Sequence, residues 1–117
     1  MSNVSKVQPK WTDVSCVSIV PAANDATTLS NDSVETWEII EVVGVKDGAA
    51  AGGDTLAIAT SSGTYVTIDL NIADDVVFRS AAVNQQHAEW APGTSITFTS
   101  NDPSAAVKVC NVMVRKK

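Results

Sequence analysis

Turn-forming residues punctuate this chain at short intervals, and they limit what it can fold into. Pro21, Asn24-Asp25, Asn31-Asp32, Asp47-Gly48, Gly52-Gly53, Ser61-Ser62-Gly63, Pro92-Gly93 and Asn101-Asp102-Pro103 divide the 117 residues into runs too short for long helices. Val, Ala, Ile and Thr dominate those runs, while Leu, Lys and Glu are scarce. β-Branched side chains are stiff at χ1 and fit a pleated, half-buried surface, so strands are expected.

The order of elements follows. Residues 14–20 read as a first strand closed by Pro21, and residues 22–33 as a loop. Residues 36–45 read as a strand buried on both faces, with Trp37, Ile39, Val43 and Val45 on one side and Ile40 and Val42 on the other. Lys46 to Asp54 reads as a flexible connection, and residues 55–60 and 64–70 as a hairpin about Ser61-Ser62-Gly63. Residues 76–78 suggest a short strand. Residues 80–90 stay open between coil and a helical turn or two, since Val83, His87 and Trp90 have helical spacing and Ser80 could cap. In residues 94–100, Ile96 and Phe98 face the core while Ser95, Thr97 and Thr99 face water. The last strand, 105–115, places Val107, Val109 and Met113 opposite Cys110, Val112 and Val114. Seven or eight such strands predict an all-β, single-domain antiparallel β-sandwich or jelly-roll-like barrel over residues 13–117, preceded by an extended N-terminal arm over residues 1–12. A chain of this length can bury one core without disulfides or a structural metal.

Charge is sorted by position. All thirteen acids lie between Asp13 and Asp102, a stretch that holds only two bases, Lys46 and Arg79. Lys6, Lys10, Lys108, Arg115, Lys116 and Lys117 lie outside it and bring the total to −5. An acidic body repels phosphates, and no basic stripe interleaves with aromatics, so nucleic acid is not an expected partner. No apolar run is long enough to span a bilayer, so no membrane partner is expected, and no apolar signal-like segment opens the chain. Cys16 and Cys110 are expected as two buried thiols; a bridge between them would need the first and last strands to be neighbours.

Candidate chemistry is sparse. His87 is the only histidine and has no nucleophile motif beside it, so no enzyme is expected. Asp69, Asn71, Asp74 and Asp75 cluster as hard oxygen ligands would, but without the glycine and closing glutamate of an EF-hand loop, so they read as a solvated turn. One histidine and two distant cysteines do not make a zinc site, and Gly52-Gly53 lacks the Lys-Ser/Thr of a phosphate loop. No metal or cofactor is expected. Trp37 reads as core. Trp11 and Trp90 are open between anchors and platforms for sugar rings.

The C-terminal third carries a resemblance. Trp90-Ala-Pro-Gly-Thr-Ser-Ile-Thr-Phe-Thr-Ser, a short turn, and Ala-Ala-Val-Lys-Val-Cys-Asn-Val-Met-Val resemble the closing strands of small phage capsid decoration (cement) proteins. The resemblance covers residues 90–115 and is one of pattern. It implies a β-sandwich or jelly-roll body, an extended arm and a homotrimer on the capsid surface of a virion, made in the host cytoplasm. It makes the expected function that of a virion structural protein, which binds the outer surface of a capsid and stabilises contacts between major capsid protein subunits. The partner-binding residues would be Val4, Lys6, Val7, Lys10 and Trp11 in the arm, with Arg115, Lys116 and Lys117 at the other end. The alternative is a carbohydrate- or receptor-binding module of a phage fibre or tail, using Trp90 or Trp11 and calcium at Asp69, Asp74 and Asp75.

Overall fold

The computed structural model describes residues 14–117. The expected arm, and with it Val4, Lys6, Val7, Lys10 and Trp11, lies outside the described residues. The elements run β1 (Val14–Ile19), β2 (Ala26–Ser30), β3 (Trp37–Asp47), β4 (Thr55–Thr60), β5 (Gly63–Asp69), β6 (Val77–Arg79), a 3₁₀ turn (Gln85–His87), β7 (Glu89–Trp90), β8 (Ser95–Ser100) and β9 (Ala106–Lys116). They form two antiparallel sheets, β1-β9-β3-β6 with β7 also paired to β3, and β2-β8-β4-β5. Strands in the same place in the two sheets are consecutive in the chain: β1 with β2, β9 with β8, β3 with β4, β6 with β5. With the two-residue β7 set aside, this is the strand order of a jelly roll. The all-β sandwich expected from the turn spacing is the fold observed.

Alternation builds the core. Leu56 and Ile58 on β4 and Ile96 and Phe98 on β8 point inward against Ile39, Val42, Phe78, Cys110, Val112 and Val114 of the first sheet. Each such side chain contributes about 1.5–3 kcal/mol on full burial.

Two β-bulges correct the expected faces. β3 and β9 pair antiparallel, but the register shifts once between Ile39 and Glu41 and again between Val45 and Lys46. Ile40 is the extra residue on β3 and Lys108 the extra residue on β9. One inserted residue sends every later side chain to the opposite face. Ile39, Val42, Gly44 and Lys46 therefore face inward, while Val43 and Val45 face out and are only half-buried, against the grouping expected for residues 36–45. On β9, Val107 joins Cys110, Val112 and Val114 inside, leaving Val109 and Met113 outside. Gly44 lies opposite Phe78, and a Cβ there would overlap the Phe78 ring, which only glycine avoids.

Three further expectations change. The loop expected over 22–33 contains β2, an edge strand in which only Thr27 and Leu29 are half-buried; an edge strand needs little hydrophobicity to pair with β8. Residues 80–90 hold one 3₁₀ turn, capped by Asn84, whose side chain accepts from Gln86 N–H at 3.1 Å. Ser80 does not cap it; its hydroxyl accepts from Val42 N–H at 3.0 Å. Lys46 is not part of a flexible connection but a fully buried strand residue.

The Lys46 ammonium donates to the carbonyls of Asp47 (2.7 Å), Gly48 (3.2 Å), Ala49 (3.3 Å) and Ser104 (2.8 Å). Its backbone N–H donates to Val76 O, and its own carbonyl accepts from Asp75 N–H, both at 2.9 Å. The β3–β4, β5–β6 and β8–β9 loops thus meet on one residue at one end of the sandwich. Nearby, the buried Asp54 accepts from Ser104 Oγ at 2.6 Å.

β1 and β9 are neighbours, as a Cys16–Cys110 bridge would require, yet both thiols are free. Cys16 pairs in register with the outward Met113, and Cys110 with the inward-facing Ile19, so the two thiols are on opposite faces. Cys16 is exposed, against the expectation of two buried thiols; burial pushes the Cys110 thiol up to about 12.

Two measurements check this frame. Lys46→Met strands four inward carbonyls and is expected to lower stability by about 3 kcal/mol in urea denaturation; unchanged stability would mean that the loops close without the ammonium. A thiol-reactive dye at neutral pH should titrate one cysteine in the native protein, Cys16, and the second only on unfolding.

Candidate functional site

The end of the sandwich opposite Lys46 holds the first described residue and the C-terminus together. Val14, where the described residues begin, is the register partner of Arg115, and Lys117 N–H donates to Thr36 O at 2.8 Å. Arg115, Lys116 and Lys117 are all exposed there, with Lys116 opposite Trp37 in register. The five expected residues of the arm lie outside the described residues.

Pairing explains why these bases stand where they do. Glu38 and Glu89 are direct cross-strand partners on β3 and β7, and like charges directly opposite are destabilising. Arg115 donates to Glu38 Oε1 through Nη2 (2.5 Å) and Nε (3.1 Å), and Lys117 Nζ donates to Glu89 Oε2 at 2.5 Å. The hydrogen bond to Glu89, followed by its charge, holds the Lys117 ammonium above its usual range. Arg115 and Lys117 thus neutralise the body's own acids.

Beside these pairs lies a cleft of about 280 Å³, lined by Ser61 and Ser62 of the β4–β5 turn, Gln85 and Gln86 of the 3₁₀ turn, and Glu38, Glu89 and Lys117. Apart from Ala91, its lining is hydroxyl, carboxamide and charge. Behind it, Ser62 Oγ lies 2.9 Å from His87 Nδ1, and Thr60 Oγ1 donates to His87 O at 2.8 Å. The imidazole packs on Gly63, where a Cβ would come within 2.9 Å of the ring. Ser62 and His87 are 25 residues apart, so their contact left no local motif. Among the described residues no carboxylate hydrogen-bonds His87 to orient it, and the contact ties two turns together. The same end is held by the buried Asn31, whose Nδ2 donates to Glu35 O (2.9 Å) and Trp90 O (3.0 Å).

The acidic cluster disperses. Asp69 accepts from Asn71 N–H at 2.9 Å, whereas Asp74 accepts from Gly48 N–H at 2.9 Å and shares Lys108 with Asp75. The Gly48 N–H, ahead of Lys108, holds the Asp74 carboxyl below its usual range. Among the described residues no group of three or more His, Cys, Asp or Glu is placed to hold a metal ion, so calcium at Asp69, Asp74 and Asp75 has no site. Trp90 is 5% exposed, with Nε1 donating to Thr94 O at 3.1 Å, so it is core and not a sugar platform. Trp37 is half-buried and donates to Ser33 Oγ at 3.2 Å.

One surface escaped the sequence reading. On the outer face of the first sheet, Val77, Val45 and Val109 stand side by side on β6, β3 and β9, with Val43 next along β3 and Met113 beside Cys16. Val77 is 54% exposed and the bulged Ile40 37%. The charges that border this row pair with one another: Arg79 with Glu41 at 2.8 Å, Lys108 with Asp74 and Asp75, Arg115 with Glu38. The alternation of Val43 and Val45 is visible in the sequence, but its direction depends on the bulge at Ile40, which no turn residue marks.

Among the described residues no helix is long and apolar enough to cross a membrane. Neither protein-family models nor curated protein sequences give a match to this chain.

Because exposed ion pairs contribute little, Arg115→Gln and Lys117→Gln should each leave the melting temperature within about 2 °C of the parent. A larger fall in calorimetry would mean that relief of the Glu38–Glu89 repulsion holds β7 in place.

Proposed function

We propose that this chain is a virion structural protein that binds the outer surface of a capsid and stabilises contacts between major capsid subunits. The observation that carries the reading is the outward row Val77-Val45-Val109, an apolar strip on a sheet face whose bordering charges are already neutralised in pairs. Such a face is desolvated at little electrostatic cost, which suits protein–protein contact. Two further features support it. The jelly-roll strand order agrees with the resemblance of residues 90–115 to capsid decoration proteins, an argument by analogy of fold. The proposed contact residues Arg115, Lys116 and Lys117 are exposed together at the end of the chain's last strand, where Arg115 pairs in register with Val14, the first described residue. The mechanism is passive: contacts present only on the assembled shell stabilise that shell by mass action.

The polar cleft supports a second reading, a carbohydrate- or receptor-binding module, because hydroxyls, carboxamides and carboxylates are the groups that hydrogen-bond sugars. It would act without Trp90 and without calcium.

Shells built from the major capsid protein of the same genome separate the two. Co-sedimentation should saturate, and Val45→Asp with Val77→Asp should weaken it at least tenfold while the circular dichroism stays that of a folded β protein. Failure to bind any form of the shell, with oligosaccharides shifting the Gln85 and Gln86 side-chain amide resonances, would put the second reading in its place.

A further inference from the structure

The two flanks of the sandwich are finished differently. On one, β6 is only three residues long and includes Arg79, and β5 carries Asp69 and a register shift against β4. Short strands, charges and bulges are the devices that keep an edge from pairing with another chain. The other flank has none of them. β1, Val-Ser-Cys-Val-Ser-Ile, pairs with β9 in unbroken register over its six residues and contains no charge, proline or glycine. β2, Ala-Thr-Thr-Leu-Ser, is equally uncharged and pairs with β8 in unbroken register. Among the described residues, no backbone hydrogen bond reaches the free edge of β1.

We propose that β1 pairs antiparallel with β1 of a second copy, so that the first sheet continues across a two-fold axis. Three observations choose a second copy over some other strand. The edge is self-complementary under a two-fold axis, as an isologous interface must be. The open edges of β1 and β2 occupy the same place in their sheets, so one axis normal to both sheets lets both continue; a single added peptide would fill one edge and leave the other open. Finally, each copy carries a net charge of −5, so association requires an uncharged surface, and these two strands supply it.

The pleat restricts the register. Val14, Cys16 and Ser18 face outward with Arg115, Met113 and Asn111, and paired residues must share a face. The axis therefore passes through Cys16 or Val17, and in either case the strand overlap is nearly complete. An isologous pair closes at two copies, which replaces the trimer implied by the resemblance to decoration proteins. The proposal does not depend on what the protein binds.

Sedimentation equilibrium of the full chain tests it. A mass of about twice 12.2 kDa is expected. The double variant Cys16→Lys with Ser18→Lys places like charges opposite each other in both registers and should return the mass to one copy. Both positions are exposed, so the circular dichroism of the variant should match the parent. Hydrogen exchange gives a measurement without mutation: the amides of β1 that point away from β9 should gain protection as concentration rises. A single copy at all concentrations, a mass of three copies, or a dimer indifferent to the two lysines overturns the proposal.

Discussion

The buried Lys46 ammonium organises one whole end of this molecule. Taking an ammonium out of water costs several kcal/mol unless its donors are met. Here four carbonyls lie within 3.3 Å of its three N–H bonds. Three of them belong to Asp47, Gly48 and Ala49, so the β3–β4 loop must curl back over its own strand. The fourth, from Ser104, brings in the β8–β9 loop, and the backbone of Lys46 holds the β5–β6 loop through Asp75 and Val76. Six of the eight main strands, β3, β4, β5, β6, β8 and β9, begin or end at these loops. Their register is thus referred to a common point, which a wholly apolar core would not supply.

That arrangement also explains which parts of the fold were legible in the sequence. Strand existence was legible nearly everywhere because Asp-Gly, Pro-Gly and Asn-Asp pairs mark the turns and β-branched residues fill the intervals. Facing was not. A pleat has a period of two, so the unmarked insertion at Ile40 reversed Val43 and Val45, and the one at Lys108 reversed Val107 relative to Val109. In sequence a lysine beside Asp47-Gly48 has the look of a solvated loop residue; only tertiary structure brings Ser104 to Lys46. β2 escaped because an edge strand is recognised by its partner more than by its own residues. Of the expected contact residues, Arg115, Lys116 and Lys117 lie together on an exposed strand end, as their position in the chain suggested. Their engagement with Glu38 and Glu89 was not legible, because it depends on β7 joining β3.

The sorted charge takes on a different meaning in three dimensions. As a sequence pattern it describes an acidic body with basic ends offered to a partner. In the fold, three of the six outlying bases return to the acids: Lys108 to Asp74 and Asp75, Arg115 to Glu38, Lys117 to Glu89. Such exposed pairs stabilise little individually, but they flatten the potential over the outer face of the first sheet. The same bulge that turned Val43 and Val45 outward therefore placed them on the face where the charge is balanced. An apolar strip in an uncompensated acidic field would keep an acidic partner away. This one does not.

Rigidity and recognition are consequently assigned to different parts of the molecule. The Lys46 end spends its polar groups on itself, as does the smaller Asn31 network at the other end, where Nδ2 meets two carbonyls and Oδ1 accepts from Ser33 N–H at 3.0 Å and Ser33 Oγ at 2.6 Å. Between these two fixed ends, the outer face of the first sheet and the β1 edge are open among the described residues. A surface held in its binding shape loses little conformational entropy when a partner arrives, so modest contacts are enough for association. That preorganisation is supplied by the fold itself, through the carbonyls gathered on Lys46 and on Asn31.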